Sequence, residues 1–204
     1  MVTGHGSEVT GQQPTLSSVD LREHGTSEAL MWALSRPGQI REFTVRDGDS
    51  TGLETIAESL LDLEVSFFSN DAALEISLAR TGAQVRDVGE ADYLFFTHLE
   101  PDVLETANIG TLVYPDQSAT IVIACEFDSG LNLKLTGPGI QSETHVRILG
   151  VPEAFWALRN SVSSYPLGWD IFLIEKREGS SARVLGLPRT TQISVQGTTR
   201  IELV

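Results

Sequence analysis

The period of the apolar positions changes several times along the chain, and each change marks an element. Ala29-Leu-Met-Trp-Ala-Leu34 reads as the apolar part of a helix capped by Thr26 or Ser27, and Pro37-Gly38 stops it. A short strand follows through Ile40, Phe43 and Val45. Thr51-Gly-Leu-Glu54 then has the spacing of a capping box. Leu53, Ile56, Ala57, Leu60 and Leu61 recur at i, i+3, i+4, i+7 and i+8, so this segment predicts an amphipathic helix.

Further on, Glu64-Val-Ser-Phe-Phe68 predicts a strand, Asp71 to Arg80 a helix ended by Gly82, and Tyr93-Leu-Phe-Phe96 another strand. Pro101 suits the first turn of a short helix reaching about Ala107. Ala119 to Cys125 is apolar at successive positions, as a central strand covered on both faces requires. Leu131, Leu133 and Leu135 alternate with Asn132, Lys134 and Thr136, which predicts a half-exposed strand closed by Gly137-Pro-Gly139. Pro152 opens a helix with Phe155, Trp156, Leu158 and Val162, and strands near 171–174, 184–187 and 193–195 finish the chain. The turn at Glu178-Gly-Ser-Ser181 makes the first two of these a hairpin. Alternating strands and helices early, with a hairpin late, predict an α/β fold with a mixed sheet. Residues 1–15, rich in Gly, Ser, Thr and Gln, read as a flexible arm ahead of a single domain over 16–204.

Composition narrows the partners. With 14 Lys+Arg against 28 Asp+Glu the net charge is −14, and such a chain repels a nucleic-acid backbone. The N-terminus lacks the basic start and apolar stretch of a signal peptide, and no apolar run has the roughly 18 residues of a membrane span, so a cytoplasmic location without membrane contact is expected.

Most familiar chemistries lack their residues. His5, His24, His98 and His145 are scattered and Cys125 is the single cysteine, so no metal site is expected. No Gly-x-Ser-x-Gly elbow or Gly-x-x-x-x-Gly-Lys loop occurs. Lys134 and Lys176, the two lysines, read as solvated surface side chains and not as Schiff-base formers, so no cofactor is expected.

Four loops stand out: Ser35-Arg-Pro-Gly38, Leu135-Thr-Gly-Pro-Gly139, Tyr165-Pro-Leu-Gly-Trp-Asp170 and Leu187-Pro-Arg-Thr-Thr191. Rigid or φ-positive backbone beside polar side chains can cradle an anion, shape an interface, or simply end a helix or strand. The candidate anion-binding or interface residues are Arg36, Gly38, Gly137, Gly139, Arg189, Thr190 and Thr191; no catalytic residue is assigned. Tyr165 and Trp169 are possible interface anchors, with burial in the domain's own core the alternative.

These segments, in this order, resemble the PhnH subunit family of the bacterial carbon-phosphorus lyase system. The matching pieces are Ala33-Leu-Ser-Arg-Pro-Gly38, Leu135-Thr-Gly-Pro-Gly-Ile140, Tyr165-Pro-Leu-Gly-Trp-Asp170 with the strand after it, and Leu187-Pro-Arg-Thr-Thr191. The first helix departs from the family pattern, with Ser27-Glu28 where Phe-Arg is typical. The resemblance implies a three-layer α/β/α sandwich similar to the core of pyridoxal phosphate-dependent transferases, without that cofactor. It also implies a homodimer that joins PhnG, PhnI and PhnJ subunits. Their complex converts ATP and an alkylphosphonate to α-D-ribose 1-alkylphosphonate 5-triphosphate in phosphonate catabolism. The implied role is a non-catalytic or accessory subunit. A subunit lending an anion-binding loop to a shared active site, and an independent small-molecule enzyme, are the competing readings.

Overall fold

A computed structural model of the chain describes residues 17–49 and 51–196; the arm expected over 1–15 lies outside them. Seven strands form a mixed sheet: β1 (Arg41–Thr44), β2 (Ser66–Ser69), β3 (Gln84–Val85), β4 (Tyr93–Phe96), β5 (Thr120–Ala124), β8 (Asp170–Lys176) and β9 (Ser181–Leu187). Their order is β1-β9-β8-β5-β4-β2-β3, parallel from β3 through β8 and antiparallel where β9 joins β8 and β1 joins β9. The mixed sheet and α/β class are those expected from the apolar pattern. β5 is the middle strand, and its Ile121, Val122 and Ile123 are fully buried, which explains why no polar residue interrupts it.

Helices α1 (Ser18–Ser35), α2 (Leu53–Leu60) and α3 (Ala72–Leu78) cover one face. They pack Ala33, Leu53, Ile56 and Leu78 against Phe67, Phe95, Val122 and Phe172. α1 lies so close to β9 that a Cβ on Gly186 would come 2.5 Å from the carbonyl carbon of Ala33. The other face is built differently from a second helical layer. There a three-stranded antiparallel sheet, β10 (Gln192–Gln196), β6 (Glu126–Thr136) and β7 (Thr144–Leu149), stands with helix α4 (Glu153–Val162). Leu133, Leu135, Ile148, Phe155 and Trp156 fill the space over Leu94, Ile121, Ile171 and Leu185. Burying aromatic side chains such as Phe155 and Trp156, whose rings meet edge to face at 4.9 Å, stabilises the fold by about 1.5–3 kcal/mol each.

Several local expectations are corrected. α1 starts at Ser18, ahead of the expected cap, and buried Thr26 donates back to the Arg22 carbonyl at 2.9 Å inside the helix. α2 does not use a capping box. The buried Asp49 carboxylate accepts the amides of Thr51, Gly52 and Thr55 at 3.1, 2.6 and 2.9 Å, and Glu54 pairs with Arg46 instead. β7 was not anticipated, although buried Val146 and Ile148 alternate there with exposed Arg147 and Leu149. Among the described residues no helix is long and apolar enough to cross a membrane.

Candidate functional site

Three of the loops singled out in the sequence meet around the end of β6, and the fourth, residues 165–170, is joined to the 187–191 loop through Arg189, but they do not make one site. Gly137, at φ 126, runs so close to residues 190–192 that a Cβ would come 3.0 Å from the Thr190 carbonyl oxygen. Gly139, at φ 83, is pressed against the Ser35-Arg-Pro-Gly38 turn: a Cβ there would come 2.8 Å from Pro37 Cδ and 2.9 Å from the Ser35 oxygen. The Gly-Pro-Gly loop thus wedges between the turn that ends α1 and the segment entering β10. Arg36 and Gly38 sit on the far side of that wedge. Arg36 is exposed, its guanidinium 4.4 Å above the Trp32 ring, and Gly38 borders a separate groove with His145 and Arg147.

Arg189 is engaged within the fold. Asp170, at the start of β8, accepts its backbone amide and its Nη2, each at 2.8 Å, and Nη1 reaches the carbonyl oxygens of Pro115 and Pro166. One side chain therefore ties the 115 and 166 loops to the β9–β10 connection. Trp169 is 1% exposed and donates to the Asn108 carbonyl, so it belongs to the core, whereas Tyr165 is 79% exposed.

A cavity of about 330 Å³ opens beside this tie, where the end of α4 meets residues 189–193. Arg189, Thr190 and Thr191 line it with Arg159, Asn160 and Ser163. Arg159 is 1% exposed; its Nη2 donates to the Pro188 carbonyl at 2.9 Å and its Nε has no hydrogen-bond partner. Burial pushes its guanidinium down to about 10, with the Asp170 charge opposing, so it stays a cation at neutral pH. Ser163 Oγ and Thr191 Oγ1 are likewise buried without a hydrogen-bond partner. Arg159 and Ser163 were not picked out from the sequence. The signal was available: Arg159 stands four residues after Phe155 and three after Trp156, on the apolar stripe of α4.

Other reactive groups are less suggestive. Burial and the Glu175 charge raise the Cys125 thiol, away from a reactive thiolate. Lys134 pairs with Glu143 at 2.5 Å, and Lys176 caps carbonyls of its own turn, from Arg177 to Ser181. A groove between α1 and α2 contains Arg22 and Arg46, but both are paired with Glu58 at 3.3 Å. Among the described residues no group of His, Cys, Asp and Glu is arranged to hold a metal ion.

A family model described as bacterial phosphonate metabolism protein (PhnH) matches residues 22–194. The chain belongs to the PhnH family. A relative named C-P lyase subunit protein HtxG, from Stutzerimonas stutzeri, is 32% identical over 180 residues, covering 86% of this chain and 88% of its own. The α-D-ribose 1-methylphosphonate 5-triphosphate synthase subunit PhnH of Rhizobium meliloti (strain 1021) is 28% identical over 182 residues, covering 81% and 86%. The PhnH match spans all four loops and the whole cavity wall, so the site described above lies within the family's shared region.

Proposed function

We propose that the chain is an accessory subunit of a carbon-phosphorus lyase core complex in organic phosphonate catabolism. In this reading it supports the conversion of ATP and an alkylphosphonate to α-D-ribose 1-alkylphosphonate 5-triphosphate, with no complete active site of its own. The observation that carries it is family membership over residues 22–194, joined to relatives named as subunits of such enzymes. The partners are PhnG, PhnI and PhnJ subunits together with a second copy of the chain, in the cytoplasm. The fold belongs to this reading as a relative of the pyridoxal phosphate-dependent transferase core that works without the cofactor. The engagement of Lys134 with Glu143 and of Lys176 with its own turn speaks for work without the cofactor. The domain is taken as the single unit 16–204.

Exposed Leu112, Val113, Tyr114 and Tyr165 favour a subunit over a free-standing enzyme, because apolar loops in water mark contact surfaces. The test is reconstitution with the partner subunits, with and without this chain, reading complex mass and adenine release from ATP plus methylphosphonate. Adenine release should depend on the chain within the complex and be absent from the chain alone. Release by the isolated chain, or a fully active complex that never incorporates it, would reject the reading. The second reading, a subunit that lends an anion contact to a shared active site, is favoured by the cavity at Arg159.

A further inference from the structure

We infer that the cavity at the end of α4 is a subsite for a tetrahedral oxyanion, a phosphate or phosphonate group, held by Arg159, Ser163 and Thr191. The choice of this anion class rests on the reading above, whereas the preference for an anion follows from the cavity itself.

A guanidinium buried as deeply as Arg159 is costly unless an opposite charge or a full set of acceptors compensates it. Its acceptors here are neutral: the Pro188 carbonyl at 2.9 Å and, weakly, Asn160 Oδ1 at 3.5 Å. Among the described residues no carboxylate is in ion-pair contact with it. Asp170 is the acid whose charge reaches it, and that carboxylate is bonded to Arg189 at 2.8 Å. Two guanidinium groups of the wall are thus set against the one carboxylate of Asp170 behind it, a local positive excess on a chain of net charge −14.

Two hydroxyls complete the donor set. A buried hydroxyl with no partner is unfavourable, and here two, Ser163 Oγ and Thr191 Oγ1, belong to the same cavity wall as the free Nε of Arg159. They come from separate elements, Ser163 from the end of α4 and Thr191 from the entry to β10, which the fold places on one cavity. In the inferred complex the two hydroxyls would turn from their buried positions toward an anion seated against the guanidinium. Charge-assisted bonds of this kind suit oxygens spread around a tetrahedral centre. A volume of about 330 Å³ is at the small end of ligand pockets, so it accommodates the anionic end of a substrate.

The experiment uses the isolated full chain and isothermal titration calorimetry with methylphosphonate, inorganic phosphate and ATP in separate arms. At least one should bind with one-to-one stoichiometry, and the ranking tells whether the site takes the phosphonate, free phosphate or the triphosphate end of a nucleotide. The double variant Ser163→Ala/Thr191→Val should weaken binding at least tenfold while its melting temperature is unchanged or higher, because hydroxyls without partners contribute nothing to the fold. Arg159→Lys, which retains a charge but loses the fork, should weaken it similarly, and Arg80→Gln, on an exposed turn, should not. No saturable binding in any arm by the chain alone or the assembled complex overturns the inference, as does unaltered affinity in the double variant. Assembly is read separately: a complex that forms around a chain unable to bind any of the three anions rejects this inference alone, and anion binding by a chain that never assembles rejects the subunit reading alone.

Discussion

Arg189 and Arg159 lie in the same cavity wall and do different things, and the difference is in their partners. Arg189 is matched to Asp170 and to two loop carbonyls, which makes it a structural tie. Arg189→Ala should cost about 2–3 kcal/mol, between the values for exposed and buried ion pairs, because it leaves Asp170 unpaired and frees two loops. For a chain of this size that lowers the melting temperature by roughly 5–10 °C. The paired measurement is adenine release by the reconstituted complex. An unchanged melting temperature with normal assembly and lost adenine release would make Arg189 a substrate contact instead. The Pro-Arg-Thr-Thr segment was legible because proline beside arginine and paired threonines is unusual at a strand end. Arg159 was passed over because a single arginine within an apolar helix reads as a solvated side chain unless its position on the helical face is tracked. Whether a hydroxyl such as that of Ser163 has a partner depends on which distant residues surround it, and no local pattern records that.

At the level of elements, the sequence was most legible where the apolar period was strong: α2, α3, α4, β4, β5 and the β8–β9 hairpin all lie where expected. It was least legible at the edges. The cap of α2 comes from Asp49, outside the Ser/Thr-x-x-Glu spacing, and β7 is four-sixths polar or exposed, which hides its alternation. The second outer layer was missed as a sheet because β7 went unread and β10 joins β6 from far along the chain, a choice made by tertiary packing. That layer is fastened to the main sheet at Glu175 of β8. Burial disfavours the Glu175 charge, but Arg183 Nε at 2.6 Å and the Phe127 amide of β6 at 2.8 Å outweigh it, holding the carboxyl below its ordinary range. A depressed folded-state pKa gives stability that is present above the unfolded carboxylate value and is lost as pH falls through the folded one. The melting temperature should therefore decline below the ordinary carboxylate range, and Glu175→Gln should start lower at neutral pH and show a shallower acid decline. An acid limb identical in slope to that of the parent would refute the assignment.

At the scale of the whole molecule, a net charge of −14 sets long-range repulsion between copies and toward anionic substrates, so contacts with partners must be gained at short range. One surface for such contact is the loop following the short 3-10 helix Pro101–Thr106: Leu112 and Val113 are 77% and 75% exposed, and Tyr114 follows them. Arg189 binds both Pro115 and Pro166, so the chain just after Tyr114 is tied to the chain just after Tyr165, a residue that lines the Arg159 cavity. A loop that is apolar yet anchored by an internal arginine is preorganised, so little ordering cost is added on docking. Leu112→Ser/Val113→Ser should leave the melting temperature within about 1 °C of the parent, since exposed side chains contribute little to the fold. Co-purification with the PhnG, PhnI and PhnJ subunits should fall at least tenfold, and raising the salt concentration should not weaken the parent contact, because it is apolar. The mass of the isolated variant by light scattering gives the deciding comparison. A variant that keeps the parent's oligomeric state but fails to join the complex places the partner seam on this loop. A variant that becomes monomeric assigns the loop to self-association, and one that assembles normally removes it from any interface; either result overturns the assignment.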